Sequence, residues 1–149
     1  MTFPTISPKR QPVCAAEDGQ RTFGLLLDHG PLAPATARHE ARPVLADWGL
    51  GEEQAYDALL VISELVTNAV THALPPVILH LQAATDHCGH VQIHVSDGGH
   101  QPSPEAWAAT RPDDEHGRGA AIISALADET GAAGDVDGLI DHWADIPAA

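Results

Sequence analysis

Basic residues are scarce in this sequence, and lysine is nearly absent. The 149 residues include 7 lysines and arginines against 21 acidic residues, and the formal net charge is -14. Lys9 is the only lysine, and no basic residue lies between Arg42 and Arg111. Nucleic-acid binding needs a basic footprint and a Walker A loop needs Gly-Lys-Ser/Thr, so both are excluded. An anionic ligand would need backbone N–H groups, helix N-termini and a bridging cation.

Cysteines and long apolar runs are also lacking. The two cysteines, Cys14 and Cys88, are too few for a disulfide framework. No apolar stretch is long enough to cross a bilayer, and the N-terminus has no apolar region typical of a signal peptide. These absences predict a cytoplasmic protein without a membrane partner. Apolar residues make up 44% of the chain, which suffices for one core. We expect residues 1–20 to form a flexible arm and residues 21–149 to form the domain.

Apolar periodicity and turn residues predict the order of the secondary structure. The expected elements are a strand at Thr22–Leu27, a helix at Ala35–Trp48, a helix at Glu52–Ala73, half-buried strands at Val77–Ala83 and Val91–Ser96, a loop at 100–116, a helix at Gly119–Asp128, a turn-rich stretch at Gly131–Gly138 and a closing strand at Leu139–Ile146. We expect Pro43 to disturb the first helix. The order predicts an α+β sandwich with helices on one face of a sheet.

The second predicted helix carries a carboxylate and a carboxamide one turn apart. Glu64 and Asn68 are four residues apart, so their side chains stack on one side of the helix. They project roughly opposite an apolar stripe, which predicts that they face a cleft. The stripe consists of Ala55, Leu59, Ile62, Val66, Ala69 and Ala73. A carboxylate can take a proton and an Asn oxygen can ligate magnesium, although such a pair on its own is usually just solvated.

Two glycine-rich segments follow in the sequence. Asp97-Gly98-Gly99 ends a predicted strand, and Gly117-Arg118-Gly119 is expected to open a helix. Asp-Gly-Gly is most often only a turn, and Gly-x-Gly before a helix is often only a cap. The second segment would nevertheless expose N–H groups where an anion could bind. A zinc site built on His87, Cys88 and His90 has cramped spacing and lacks a second ligand pair.

Together, the three segments resemble the motifs of the GHKL ATPase superfamily. Glu64-Leu65-Val66-Thr67-Asn68-Ala69 is similar to its N box, Val95-Ser96-Asp97-Gly98-Gly99 to its G1 box, and His116-Gly117-Arg118-Gly119-Ala120 to its G2 box. Within that superfamily the chain resembles the small anti-sigma-factor serine kinases of actinobacteria, over roughly residues 22–146. The resemblance implies a two-layer sandwich of the Bergerat type, with a mixed, mainly antiparallel sheet, and the cofactors ATP and Mg²⁺.

The resemblance also implies a role for each matching residue. Glu64 would be the general base, and Asn68 would ligate the magnesium ion. Asp97 would accept a hydrogen bond from the adenine amino group, and Gly99 would let the backbone approach the base. Residues 100–116 would form a lid over ATP. The phosphates would be bound by Gly117, Arg118 and Gly119.

The function implied is that of an ATP-dependent serine/threonine kinase that transfers the γ-phosphate to a protein antagonist. Its partners would be a sigma factor or an antagonist of an anti-sigma factor, and a homodimer is also implied. The family's Lys-Thr pair in the last strand is missing, so the threonine's support of Asp97 is expected to be either lost or replaced by Asp141. Asp113-Asp114-Glu115 would repel ATP unless they turn outward or meet a cation. The alternative is a degenerate, non-catalytic nucleotide-binding module that sequesters a sigma factor or another regulator.

Overall fold

The computed structural model describes residues 20–84, 89–100, 113–134 and 137–147. These residues form three helices and five strands. In chain order they are β1 (Gln20–Leu27), α1 (Ala33–Asp47), α2 (Glu52–His72), β2 (Val77–Ala84), β3 (Val91–Asp97), α3 (Asp113–Leu126), β4 (Glu129–Gly134) and β5 (Ile140–Ile146). The flexible arm predicted for residues 1–20 lies outside the described residues, except for Gln20, which begins β1.

The strands form one sheet in the order β1-β2-β3-β5-β4, and each pair of neighbours is antiparallel. Alternate side chains of each strand point to opposite faces. The face toward the helices carries fully buried apolar side chains on the three central strands. These are Leu79, Leu81, Ile93, Val95, Ala144 and Ile146. The predicted α+β sandwich with helices on one face of the sheet is therefore confirmed.

Helix α2 lies at the centre of the helical layer. It contacts α1, α3 and the three central strands, so more of its surface is buried than one stripe can account for. Ile62 and Val66 of the predicted stripe are fully buried, and so are Ala58 and Val61 outside it. Glu64 and Asn68 are only half-buried. The predicted helix is confirmed, but its second apolar side packs against neighbours because α1 and α3 flank it.

Helix α1 continues through Pro43, which we had expected to disturb it. The helix runs from Ala33 to Asp47, with Pro34 in the first turn, where a proline costs no hydrogen bond. Pro43 is exposed, so its ring can face water. The carbonyl four residues earlier, which lacks a helical donor because proline has no N–H group, can then bond to water. Ala37, Ala41 and Leu45 form the buried side of the helix. Packing of this apolar side against α2 stabilises the helix despite the proline.

The region after β3 differs most from the sequence-based expectation. Helix α3 begins at Asp113 and ends at Leu126, so residues 113–116 are helical and do not belong to a loop. Residues 101–112 of the predicted lid lie outside the described residues. The predicted turn-rich stretch at Gly131–Gly138 was wrong in its first half, because β4 pairs with β5 there. Glycine suits this edge strand, since a Cβ atom on Gly131 would lie 2.5 Å from the Trp143 ring.

The sheet face away from the helices is polar but still buried at its centre. His94 Nδ1 lies 2.9 Å from Asp141 Oδ2, and Ser96 Oγ donates to Asp141 Oδ1 over 3.5 Å. His80 packs beside His94, with 6.0 Å between the ring centroids. Strand β3 is therefore buried at every position, whereas its alternating pattern had predicted a half-buried strand. The contacts of His94 and Ser96 with Asp141 satisfy some of these polar groups and so lower the cost of burying them.

Among the described helices, none is both long enough and apolar enough to cross a bilayer.

Candidate functional site

Glu64 and Asn68 lie on α2 where α3 crosses over it. A Cβ atom built on Gly119 of α3 would lie 2.8 Å from Glu64 Oε1 and 3.9 Å from Asn68 Oδ1. The α3 backbone therefore covers both polar side chains, at a distance that only glycine permits without a shift. The structure thus brings together the Glu64–Asn68 pair and Gly119, which lie in two separate motifs of the sequence. Two hard oxygen donors converge at this place, which fits a magnesium ion.

The segment Gly117-Arg118-Gly119 is not a loop before a helix, and this expectation was wrong. Since α3 starts at Asp113, the three residues lie in its second turn. In an α-helix their N–H groups donate to carbonyls four residues earlier and are not free for an anion. In the sequence, the run Asp113-Asp114-Glu115 favours a helix start at this place, because acidic residues in the first turn complement the positive end of the helix dipole. The side chain of Arg118 lies outside the described part of the structure.

Asp97 is held at the end of β3 by contacts to both of its oxygens. The side chain is 3% exposed. Oδ1 accepts a hydrogen bond from the Gly99 N–H at 2.8 Å, and Oδ2 lies 3.1 Å from Nε2 of His142. Gly99 has a φ of +93°, a conformation that favours glycine, and a Cβ atom there would meet no atom of the described residues within 4 Å. A planar ligand could therefore approach the backbone at Gly99 next to a fixed carboxylate.

The Asp97–Gly99 turn is attached to the C-terminal end of α2. Leu74 N–H donates to the Gly99 carbonyl at 2.8 Å, and Gly98 N–H donates to the Leu74 carbonyl at 2.7 Å. A Cβ atom on Gly98 would collide with the carbonyl oxygen of Pro75. The helix that carries Glu64 and Asn68 therefore also positions the turn that carries Asp97. One element links the two parts of the candidate site.

Asp141 does not support Asp97, so of the two alternatives that the sequence left open, replacement of the threonine by Asp141 is wrong. Asp141 pairs with Ser96 in the β3–β5 register and points to the face away from the helices, where it contacts His94. The next residue, His142, points to the opposite face and contacts Asp97. The sequence analysis missed His142 as a site residue. Alternation along β5 puts Asp141 and His142 on opposite faces, but which of them shares a face with Asp97 depends on the pairing of β5 with β3, for which the sequence carried no signal.

The helix-facing side of β5 opens toward Asp97. Ala144 and Ile146 are fully buried under the helices, but Ile140 is half-buried and the His142 side chain is 42% exposed. Along β5, exposure on the side toward the helices therefore increases from Ile146 to His142 and Ile140. Asp97 lies beside this more exposed end. The more exposed end and the acid–amide pair on α2 together define the candidate ligand site.

Comparison with known proteins identifies relatives of this architecture. The family described as the histidine kinase-like ATPase domain matches residues 29–138. No curated protein matches the chain. A solved structure of the RsbU and RsbW domains of Rv1364c from Mycobacterium tuberculosis is similar, with a TM-score of 0.65 and 24% sequence identity. The similarity covers 86% of this chain and 32% of that one, so this chain spans about a third of its length. At this identity the likeness establishes a common fold.

Proposed function

The chain belongs to the histidine kinase-like ATPase family, and on this basis we propose that it binds Mg²⁺-ATP and acts as an anti-sigma-factor-like serine/threonine protein kinase. It would transfer the γ-phosphate to a protein antagonist. The observation that carries this proposal is the position of Gly119 directly over Glu64 and Asn68. Phosphoryl transfer needs positioning, a cation and a base. Glu64 as the base and Asn68 as the metal ligand would lie together next to α3, the helix that carries the glycines.

Each site residue has a proposed role. Glu64 would accept the proton of the attacking hydroxyl, and Asn68 would ligate the magnesium ion that the two oxygens under Gly119 suit. Asp97 would accept a hydrogen bond from the adenine amino group, while Gly99, which no described atom crowds within 4 Å of its Cβ position, would admit the ring. A magnesium ion at Asn68 would also offset the acidic charge of this lysine-poor chain, which could otherwise repel a triphosphate.

The phosphates would be bound through Gly117, Arg118 and Gly119 after the first turns of α3 loosen. The N–H groups of these residues donate within the helix, so phosphate binding requires the helix to open there. Two glycines in this stretch weaken it, since each costs roughly 1 kcal/mol of helix stability relative to alanine. A negatively charged ligand could compete for the released N–H groups. The sequence therefore allows this part of α3 to change from helix to a phosphate-binding loop.

A second function is favoured by the same helix. Because α3 uses these N–H groups internally, the chain could bind nucleotide weakly and act without catalysis. It would then be a degenerate nucleotide-binding module that sequesters a sigma factor or another regulator. The similar structure named above contains an RsbW domain together with an RsbU domain, which supports a regulatory protein as the partner. A homodimer and a cytoplasmic location also belong to this proposal.

Calorimetry and a transfer assay test these alternatives on the intact chain. Titration with Mg²⁺-ATP measures binding, and γ-labelled ATP measures transfer to a candidate antagonist protein encoded beside this chain. In Glu64→Gln we expect ATP affinity within about threefold of wild type and transfer reduced at least ~100-fold, the typical contribution of a general base. Glu53→Gln, an exposed acid in the first turn of α2, is the matched control and should change neither quantity.

Each result assigns the chain to one alternative. ATP binding with transfer that depends on Glu64 supports the kinase. Transfer that survives in Glu64→Gln removes Glu64 as the base. ATP binding without transfer to any antagonist supports the sequestering module. An absence of heat with ATP and magnesium, in a chain that remains folded, would reject the nucleotide site altogether.

A further inference from the structure

His142 is the residue of β5 that reaches Asp97. Its Nε2 atom lies 3.1 Å from Oδ2 of Asp97, and its side chain is 42% exposed where the sheet opens beyond the helices. The Asp97 side chain is 3% exposed. One partner of this contact is therefore buried and fixed, and the other stands at the edge of the accessible space. An imidazole in this position borders any ligand that approaches Asp97.

The two contacts of Asp97 restrict its carboxylate in different ways. The Gly99 N–H donates a hydrogen bond to Oδ1 from within the turn, and Nε2 of His142 on the neighbouring strand lies 3.1 Å from Oδ2. The terminal torsion of an aspartate is soft, so a single hydrogen bond leaves the carboxylate plane free to turn. The contact with the His142 imidazole at the second oxygen adds a restriction from an independent element. Each carboxylate oxygen has a further lone-pair site, so a ligand N–H group can still be accepted.

We propose that His142 is a positioning residue that sets the preference of the site for a purine carrying an exocyclic amine. This inference rests on the proposed function, because it assumes that Asp97 accepts a hydrogen bond from the base. His142 acts through Asp97: it holds Oδ2 and thereby aims the remaining lone pairs at the amino group. Without the imidazole, the carboxylate turns and the bond to the amine is weakened, while other contacts of the nucleotide persist.

A ligand without the amine separates positioning from a general structural role. If His142 acts through Asp97 and the amino group, its removal affects ATP but not purine riboside triphosphate, which lacks that group. If His142 only supports the fold of the site, its removal weakens both ligands equally. The affinity ratio of the two nucleotides is therefore the informative quantity. Thermal unfolding of each variant shows whether the fold is retained.

The test measures both nucleotides with magnesium by calorimetry on wild type, His142→Ala and His142→Gln. We expect His142→Ala to bind ATP about tenfold more weakly and the amine-free analogue within about twofold of wild type, the size expected for one hydrogen bond to a charged group. His142→Gln keeps an N–H donor and should retain most of the preference. His90→Ala is the matched control, because His90 contacts Asp145 at 3.2 Å near the other end of β5.

The outcomes distinguish this inference from the proposed function. Equal losses for the two nucleotides in His142→Ala, or no loss for either, would overturn the positioning role while leaving ATP binding in place. If His142→Ala unfolds, the test relies on His142→Gln. A wild-type ratio of ATP affinity to analogue affinity in this variant supports the inference. Equal affinities for ATP and the amine-free analogue overturn it. Failure of the wild-type chain to bind ATP overturns the proposed function, which is a different result.

Discussion

Replacing Gly119 with alanine should separate the stability of α3 from the geometry of the site beneath it. Alanine in a helix interior gains roughly 1 kcal/mol over glycine. Its Cβ atom would lie 2.8 Å from Glu64 Oε1, whereas ordinary contact begins at 3.4 Å, so the carboxylate must move by the difference, about 0.6 Å. Moving a long side chain away from its preferred rotamer costs ~0.5–1.5 kcal/mol. The two effects nearly cancel, so we expect the free energy of unfolding to change by no more than about 1 kcal/mol.

Catalysis should respond much more strongly than stability to the same substitution. A displacement of about 1 Å in a reacting group can cost ~100-fold in rate, so a smaller shift of Glu64 should reduce transfer by roughly tenfold or more. Asn68 Oδ1, at 3.9 Å from the new atom, would be disturbed less, so magnesium-dependent binding should fall less than transfer.

Urea unfolding, calorimetry with Mg²⁺-ATP and the phosphotransfer assay together measure these effects of Gly119→Ala. Gly30→Ala is the matched control, because a Cβ atom there meets nothing within 4 Å in the described part of the chain and the backbone has no positive φ. We expect the control to bind and transfer as wild type does. A Gly119→Ala variant with wild-type transfer would refute the idea that the close approach of α3 to Glu64 is part of the site. A large loss of stability would refute the estimate of the contact energy.

Two further predictions concern stability. Gly98→Ala should destabilise the fold by ~1–3 kcal/mol, because the new Cβ atom would collide with the Pro75 carbonyl and a backbone group cannot move away as a side chain can. A urea midpoint equal to that of wild type would contradict this prediction. Burial and the neighbouring His94 lower the pKa of His80 from 6.5 to about 4, with Asp141 opposing them. The unfolded chain therefore takes up a proton first as the pH falls, and stability should be lost between about pH 6.5 and pH 4, at up to ~1.4 kcal/mol per pH unit. His80→Gln should flatten this part of the stability curve measured by urea unfolding, and an unchanged slope would contradict the assignment.

Local pattern predicted α2 and the turn after β3 because each depends on neighbouring residues. The spacing of apolar residues from Glu52 onward specified one long helix, and the glycines after Asp97 specified a turn. Strand β4 could not be predicted in this way. Its glycines and alanines have low strand propensity, and the segment is extended because β5 offers a neighbouring ladder of hydrogen bonds. Pairing between segments thus overrode the local preference.

The prediction for α3 failed for the opposite reason. The glycine motif was given more weight than the acidic residues that precede it in the sequence. Gly117 and Gly119 suggested a loop, but the acidic run from Asp113 is a favourable helix start, and the helix begins there. The sequence analysis treated those acids only as charges near a phosphate. Their effect on the helix terminus places the glycines one turn farther inside the helix than expected.

The amino-acid sequence by itself determined that Glu64 and Asn68 share one side of a helix and that Asp97 ends a strand at a glycine turn, since both follow from the fixed repeat of a single element. Tertiary structure alone decided that Gly119 covers the first two residues and that His142, not Asp141, contacts the third. The reason is physical: neighbouring residues in a strand point to opposite faces, so a contact across the sheet depends on a register that no local spacing specifies.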